Sequence, residues 1–209
     1  MHATEGPGII GTAVLVADAA VARPIAKRAT TVCIAILVAV FLPAVGDVAV
    51  AQIAGQARVV DGDTLCVAGV KVRLEGMDAP ELRRGQRCKR NGYRYNCGKD
   101  SRAALTGVIR REPIECEPKY GDVYKRFVAV CRLDGKDISE EMVRMGWAID
   151  WPRYSNGRYK PAQNDAIAAK RGFWADGIDL PPIMKDHMSS RYVPVSRPLP
   201  TRDEAKCRM

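Results

Sequence analysis

The sequence predicts an α+β chain: a small five-stranded Greek-key β-barrel of the OB type with about three helices, preceded by a leader and followed by an irregular tail. Three observations carry this. Residues 57–77 alternate short β-type runs with two-residue turn signals. After a helical stretch, two further β-type runs occupy 113–117 and 124–133. The remaining periodic segments, 138–145 and 161–171, have the apolar spacing and end signals of helices. At 209 residues the chain suits one ordinary domain with appended segments and is too short for two full-size ones.

The first β-type runs are 57–60, 64–67 and 70–74, separated by Asp61-Gly62 and Ala68-Gly69, which reads as consecutive antiparallel strands. From 78 to 98 the pattern breaks into a polar loop holding Pro80, Arg83, Arg84, Gly85, Arg87, Lys89, Arg90, Asn91 and Gly92. Loops beside strands often carry binding chemistry. Ala103, Leu105, Val108 and Ile109 give the run 99–110 a helical period. The β-type pair 113–117 and 124–133 ends at Asp134-Gly135, a hairpin turn signal. Asp137 with Glu140 three residues on is a capping arrangement, so the next helix starts there and closes at Gly146. Residues 147–151 read as extended, and the third helix ends at Gly172. From Gly177 the chain is rich in proline and charge without periodicity, and is expected to be ordered only where it packs back. The organisation is therefore a leader over 1–51, a domain over 52–176 and a tail over 177–209.

In the leader, Arg23, Lys27 and Arg28 precede the apolar run 32–42, then Pro43 and the small-residue Ala49-Val50-Ala51. That is the order of a secretory signal, with cleavage expected near Ala51 and a secreted or periplasmic product. The run is short of the roughly 20 residues of a spanning helix, so no stable membrane span is expected, although an uncleaved anchor is the rival reading. No feature of residues 1–22 assigns them a role.

Removing the leader takes Cys33 and leaves Cys66, Cys88, Cys97, Cys116, Cys131 and Cys207, an even number in an exported chain. Cys116 and Cys131 lie in successive β-type runs, and Cys88 and Cys97 bracket a Gly/Asn/Tyr-rich loop. Those two sets are the expected disulfides; the connectivity of Cys66 and Cys207 stays open. A zinc site is disfavoured, because there is no CxxC and His187 is the sole histidine after residue 51.

Charge points to a polyanionic partner. Residues 52–209 hold 30 basic and 21 acidic side chains, the whole of the formal +9. Phosphate backbone is the usual partner of such an excess, and a merely solubilising surface is the ordinary alternative.

Hydrolysis of a phosphodiester needs cations to offset charge on the phosphoryl oxygens, a positioned water and an acid for the leaving oxygen. Asp63 and Asp78 are hard carboxylates suited to calcium or magnesium, Glu81 is suited to polarising water, and Arg73 and Arg126 to clamping phosphate. Taken singly, each has an ordinary reading as a turn or surface residue.

Together they match a family. Val60-Asp61-Gly62-Asp63-Thr64, Val72-Arg73-Leu74, Asp78-Ala79-Pro80-Glu81 and the hairpin segment Tyr120-Gly121-Asp122-Val123-Tyr124-Lys125-Arg126 resemble staphylococcal nuclease in order and spacing. The resemblance runs from about residue 57 to 174 and takes in Asp134-Gly135-Lys136, Val143-Arg144-Met145-Gly146 and Gly172-Phe173-Trp174. It implies a Ca²⁺-dependent nuclease acting on DNA and/or RNA with little sequence preference. Asp63, Asp78 and the Ala79 carbonyl match the metal ligands, with alanine where the family often has threonine. Glu81 matches the acid that activates water, and Arg73 and Arg126 match the arginines that hold the phosphate. Tyr154 and Tyr124 are the candidate nucleotide contacts, although Trp151-Pro152-Arg153 departs from the family run. Lys125 stands where the family often has glycine, which puts the aim of Arg126 in question. The alternative function is a non-catalytic nucleic-acid-binding OB-fold module, and a monomer is the default expectation.

Overall fold

The structure, a computed structural model, describes residues 52–82 and 86–207; the leader and its expected cleavage point lie outside them. The described residues begin with a three-stranded meander, β1 (Ile53–Val59), β2 (Thr64–Val67) and β3 (Val70–Leu74), in which Val59 faces Leu65 and Thr64 faces Arg73. Then follow β4 (Met77–Asp78), the hairpin β5 (Cys88–Arg90) and β6 (Tyr93–Tyr95), and helix α1 (Cys97–Ile109). Strands β7 (Pro113–Gly121) and β8 (Phe127–Leu133) complete the barrel, with β7 paired to β1. The remainder is β9 (Lys136–Asp137), α2 (Ile138–Arg144), β10 (Ile149–Asp150), α3 (Pro152–Ser155), α4 (Lys160–Ala168), a 3₁₀ turn at Gly172–Trp174, β11 (Ile178–Asp179) and α5 (Pro182–Met188).

The five long strands close into a barrel because β3 also pairs with β8, Val72 against Phe127 and Leu74 against Ala129. That closing pair is parallel, whereas the turn signals predict only antiparallel neighbours. The two strands are joined by a long crossover through α1 and β7, which leaves them pointing the same way. Inside, alternate residues of β3 (Val70, Val72 and Leu74) join Leu65, Val67, Leu105, Ile109, Ile114, Ile138 and Met142 in one apolar core. The same alternation turns Arg73 to the opposite face.

The predicted helices are present. Asp137 caps α2 as expected: its Oδ1 accepts from the Ser139 N–H at 2.8 Å and the Glu140 N–H at 3.3 Å. Both expected disulfides form. Cys116 and Cys131 are direct cross-strand partners with Cα atoms 4.0 Å apart, and Cys88–Cys97 closes the β5–β6 hairpin. A third, Cys66–Cys207, joins β2 to the end of the tail.

Two regions hold more structure than their patterns suggest. The polar loop contains the β5–β6 hairpin, and the tail adds β11 to the edge of β5 and forms the whole of α5. Beyond α5 the tail is extended and returns to the barrel by backbone bonds. Gly121 N–H donates to the Arg197 carbonyl at 3.4 Å, Lys71 N–H to that of Ala205 at 2.6 Å, and Cys207 N–H to that of Gly69 at 2.8 Å. Contacts of this kind need no apolar stripe, so they leave no period in the sequence.

Candidate active site

The turn between β1 and β2 sets the first acid. Gly62 has α1 pressed against it: a Cβ there would sit 2.2 Å from the Ser101 hydroxyl oxygen, so no side chain fits. Asp61 ties this turn to the chain after β4, accepting from the Gly62 N–H at 3.0 Å and the Leu82 N–H at 3.1 Å. Asp63, next in the turn, is buried, and its carboxylate meets Arg73 on β3.

Arg73 bridges the two expected metal ligands. Its Nη1 donates to Asp63 Oδ2 at 2.5 Å and its Nη2 to Asp78 Oδ1 at 2.8 Å. Burial works against the guanidinium charge, but the carboxylates of Asp63 and Asp78 outweigh it and raise the Arg73 pKa. Ala79, next in the chain, is buried. The second arginine is coupled to the first through one hydroxyl: Thr64 Oγ1 donates to Asp63 Oδ1 at 2.8 Å and accepts from Arg126 Nη1 at 3.0 Å.

Arg126 is aimed by Asp122. Asp122 Oδ2 accepts from Arg126 Nε at 2.6 Å, while Oδ1 accepts from the backbone N–H groups of Tyr124 at 2.8 Å and Arg126 at 2.9 Å. Lys125 adopts a left-handed φ of 58°, a conformation glycine takes without steric cost. The lysine therefore keeps the hairpin geometry, and the carboxylate beneath it fixes where Arg126 points. The Arg126 guanidinium also lies 5.2 Å from the centre of the Tyr124 ring.

These groups open on a cleft of about 500 Å³, whose lining includes Arg73, Asp78, Glu81, Arg126, Tyr124 and Tyr154. Trp151 forms part of the wall and meets the Tyr154 ring edge-on at 4.6 Å. Burial raises the Glu81 pKa, and the charges of Asp63 and Asp61 raise it further. Asp61 is raised by the same two causes, burial and the charge of Asp63, and it hydrogen-bonds with Glu81. Negative charge is thus in local excess around Asp63, which is the electrostatic setting a hard cation relieves.

Among the described residues no group of three or more His, Cys, Asp or Glu side chains is placed as a metal cage. The donors on hand are two carboxylates and a backbone carbonyl, hard oxygens that fit calcium or magnesium by their chemistry. Of the residues singled out from the sequence, Arg73, Asp78, Glu81, Arg126, Tyr124 and Tyr154 line the cleft, whereas Asp63 and Ala79 do not: Asp63 lies behind Arg73, and Ala79 is buried next to Asp78 in the chain. Asp122 and His187 were not among them, and both touch those residues. Asp122 had a readable signal, an acid at a hairpin corner four residues before an arginine. His187 had none beyond being the sole histidine after residue 51.

The sequence profile of the staphylococcal nuclease homologues matches residues 71–176. The chain is 41% identical over 125 residues to the succinoglycan biosynthesis protein ExoI of Rhizobium meliloti, covering 58% of this chain and 64% of that protein. It is 32% identical over 131 residues to an uncharacterized endonuclease of Haemophilus influenzae, covering 60% of this chain and 67% of the other. A further uncharacterized endonuclease, from Escherichia coli, is 31% identical over 136 residues, 62% of this chain and 82% of its own length. The chain thus spans a little under two thirds of the Rhizobium protein.

Proposed function

We propose that this chain, which belongs to the family of staphylococcal nuclease homologues, is a nuclease that hydrolyses phosphodiester bonds of DNA and/or RNA with calcium as its cofactor. The observation that supports this reading best is the convergence on one cleft of two arginines, Arg73 and Arg126, with Asp78 and Glu81. A binding module needs the cations; only hydrolysis needs the acids beside them.

When bound at Asp63, Asp78 and the Ala79 carbonyl, the cation supplies Lewis-acid stabilisation of charge on the phosphoryl oxygen. The protein side chains do the rest. Arg73 has five N–H donors, of which two are committed to carboxylates, leaving others for a phosphate oxygen. Arg126, held through Nε and Nη1, presents its remaining donors to the cleft. Both stabilise negative charge that grows as the phosphorus gains a fifth oxygen. Glu81, in its ionised form, accepts the proton of the attacking water, and its raised pKa makes it a stronger base than an ordinary carboxylate. Tyr124 and Tyr154 offer ring faces to the nucleoside.

Export is part of the same proposal. Three disulfides are expected of an oxidising compartment, and they accompany the signal-like leader. Among the described residues no helix is long and apolar enough to cross a membrane.

The test is cleavage of single-stranded DNA by protein made in an oxidising compartment, with calcium, with excess chelator, and with Glu81→Gln. Chelator is expected to abolish cleavage and Glu81→Gln to lower it about 10²–10⁴-fold, the usual worth of a general base. Binding without cleavage under every divalent cation would identify an OB-type binding module instead.

A further inference from the structure

Residues 177–207 lie beyond the segment matched to the family, yet they supply part of the cleft wall, including His187. Helix α5 is firmly seated. Its Met184 is fully buried, and Leu180 just before the helix nearly so, in a second apolar cluster with Ile149, Phe173 and the Cys88–Cys97 disulfide. From the last turn of this helix His187 reaches the centre of the site. Its Nδ1 lies 2.9 Å from Asp78 Oδ2, and with the carboxylate ionised the ring nitrogen is the donor.

The imidazole is itself held in place. It stacks on Trp151 with ring centroids 3.8 Å apart and planes 13° from parallel. Trp151 is tied down by its backbone N–H, which donates to the Gly76 carbonyl at 3.0 Å. Asp78 needs such support. It ends a two-residue strand whose one neighbour is β10, so its side chain is not locked by a surrounding sheet. Arg73 takes one of its oxygens and His187 the other.

We propose that His187 is a positioning residue, which orients the Asp78 carboxylate for cation binding from a helix outside the family-matched region. The proposal rests on the calcium-dependent nuclease reading. Loss of a group that orients a metal ligand typically costs 10–100-fold in metal affinity. Asparagine is the informative conservative replacement, because its side-chain amide nitrogen occupies the place of Nδ1 and donates in the same direction.

The experiment is calorimetric titration of calcium into the full protein and its His187→Ala and His187→Asn variants, without substrate, beside their thermal melts and single-stranded DNA cleavage. His187→Ala is expected to weaken calcium binding about 10–100-fold and to lower cleavage at limiting calcium, with excess calcium restoring it. His187→Asn is expected to bind calcium within a few-fold of the parent, which also guards against misfolding of the alanine variant. If the parent binds calcium and cuts DNA while His187→Ala keeps parental affinity, whether or not its melting temperature falls, the positioning role is overturned and the nuclease reading stands. If His187→Asn binds as weakly as His187→Ala while both melt like the parent, the hydrogen bond is not what matters and the proposal also falls. A parent that binds no calcium would overturn both the positioning role and the calcium-dependent reading on which it rests.

Discussion

Removing the Asp122 carboxylate should cost the cleft its second arginine without touching that arginine. In Asp122→Ala, the backbone N–H groups of Tyr124 and Arg126 lose their acceptor, as does Arg126 Nε at 2.6 Å. All three bonds end on one carboxylate, and a hydrogen bond to a charged group is worth about 1.5–3 kcal/mol net. Both partners of the ion pair have side chains only 16% exposed, so water replaces these bonds incompletely. The three bonds share one acceptor, so their losses do not simply add, and a destabilisation of about 2–4 kcal/mol is expected, measured by urea unfolding. For turnover, Arg126 keeps its Thr64 contact but loses the anchor that sets its direction, and a misplacement of about 1 Å is enough to cost 10²-fold. The decisive assay is a double-mutant cycle on kcat/KM with Asp122→Ala, Arg126→Ala and both together. Because Asp122 acts through Arg126, the double variant should be no slower than Arg126→Ala alone. Losses that simply multiply would show that the two residues act independently, and would refute the claim that Asp122 aims Arg126.

The other predictions concern the hairpin corner and the tail. Lys125→Gly relieves the left-handed backbone but loosens the unfolded chain and gives up an exposed ion pair with Glu204. These effects oppose one another, so stability should change by no more than about 1 kcal/mol and kcat/KM by less than a few-fold, since Asp122 sets the arginine. A tenfold fall in kcat/KM would show that Lys125 itself matters. Replacing Cys66 and Cys207 with serine opens a loop of 141 residues, for which the chain-entropy treatment gives a ceiling of about 5 kcal/mol. Thermal unfolding under oxidising conditions should show a clear drop in Tm. An unchanged Tm would mean that the end of the tail contributes nothing to the cooperative fold.

The parts legible from sequence are those governed by local rules. Period-2 runs with Asp-Gly and Ala-Gly turns located β2 and β3 to the residue, and Asp137 announced α2 through its capping chemistry. The candidate site was legible for a different reason: Asp63, Arg73, Asp78, Glu81 and Arg126 stand at intervals that carry a family resemblance, and the barrel folds the last four into one cleft, with Asp63 behind Arg73. What stayed hidden depends on distant partners. The β5–β6 hairpin is closed by Cys88–Cys97 and β11 rather than by an apolar face. Helix α5 has one fully buried residue, Met184, too few to make a periodic stripe. His187 acquires a role only because Asp78, 109 residues earlier, ends beside it.

The three disulfides differ in span, and the difference sorts them. Cys66 is the first of the six described cysteines to be made and its partner Cys207 the last, with four rival thiols between them. Left to chance, six cysteines can pair in 15 ways. Closing a flexible loop over 9 residues, however, costs about 2 kcal/mol less than closing one over 141. Cys88–Cys97 and Cys116–Cys131, at separations of 9 and 15, are therefore favoured to form early, within segments that need nothing from the far end of the chain. Once they have formed, Cys66 and Cys207 are the only thiols left among the six. The correct long-range link then follows by elimination, and the short spans of the first two pairs act as the proofreading step for the third.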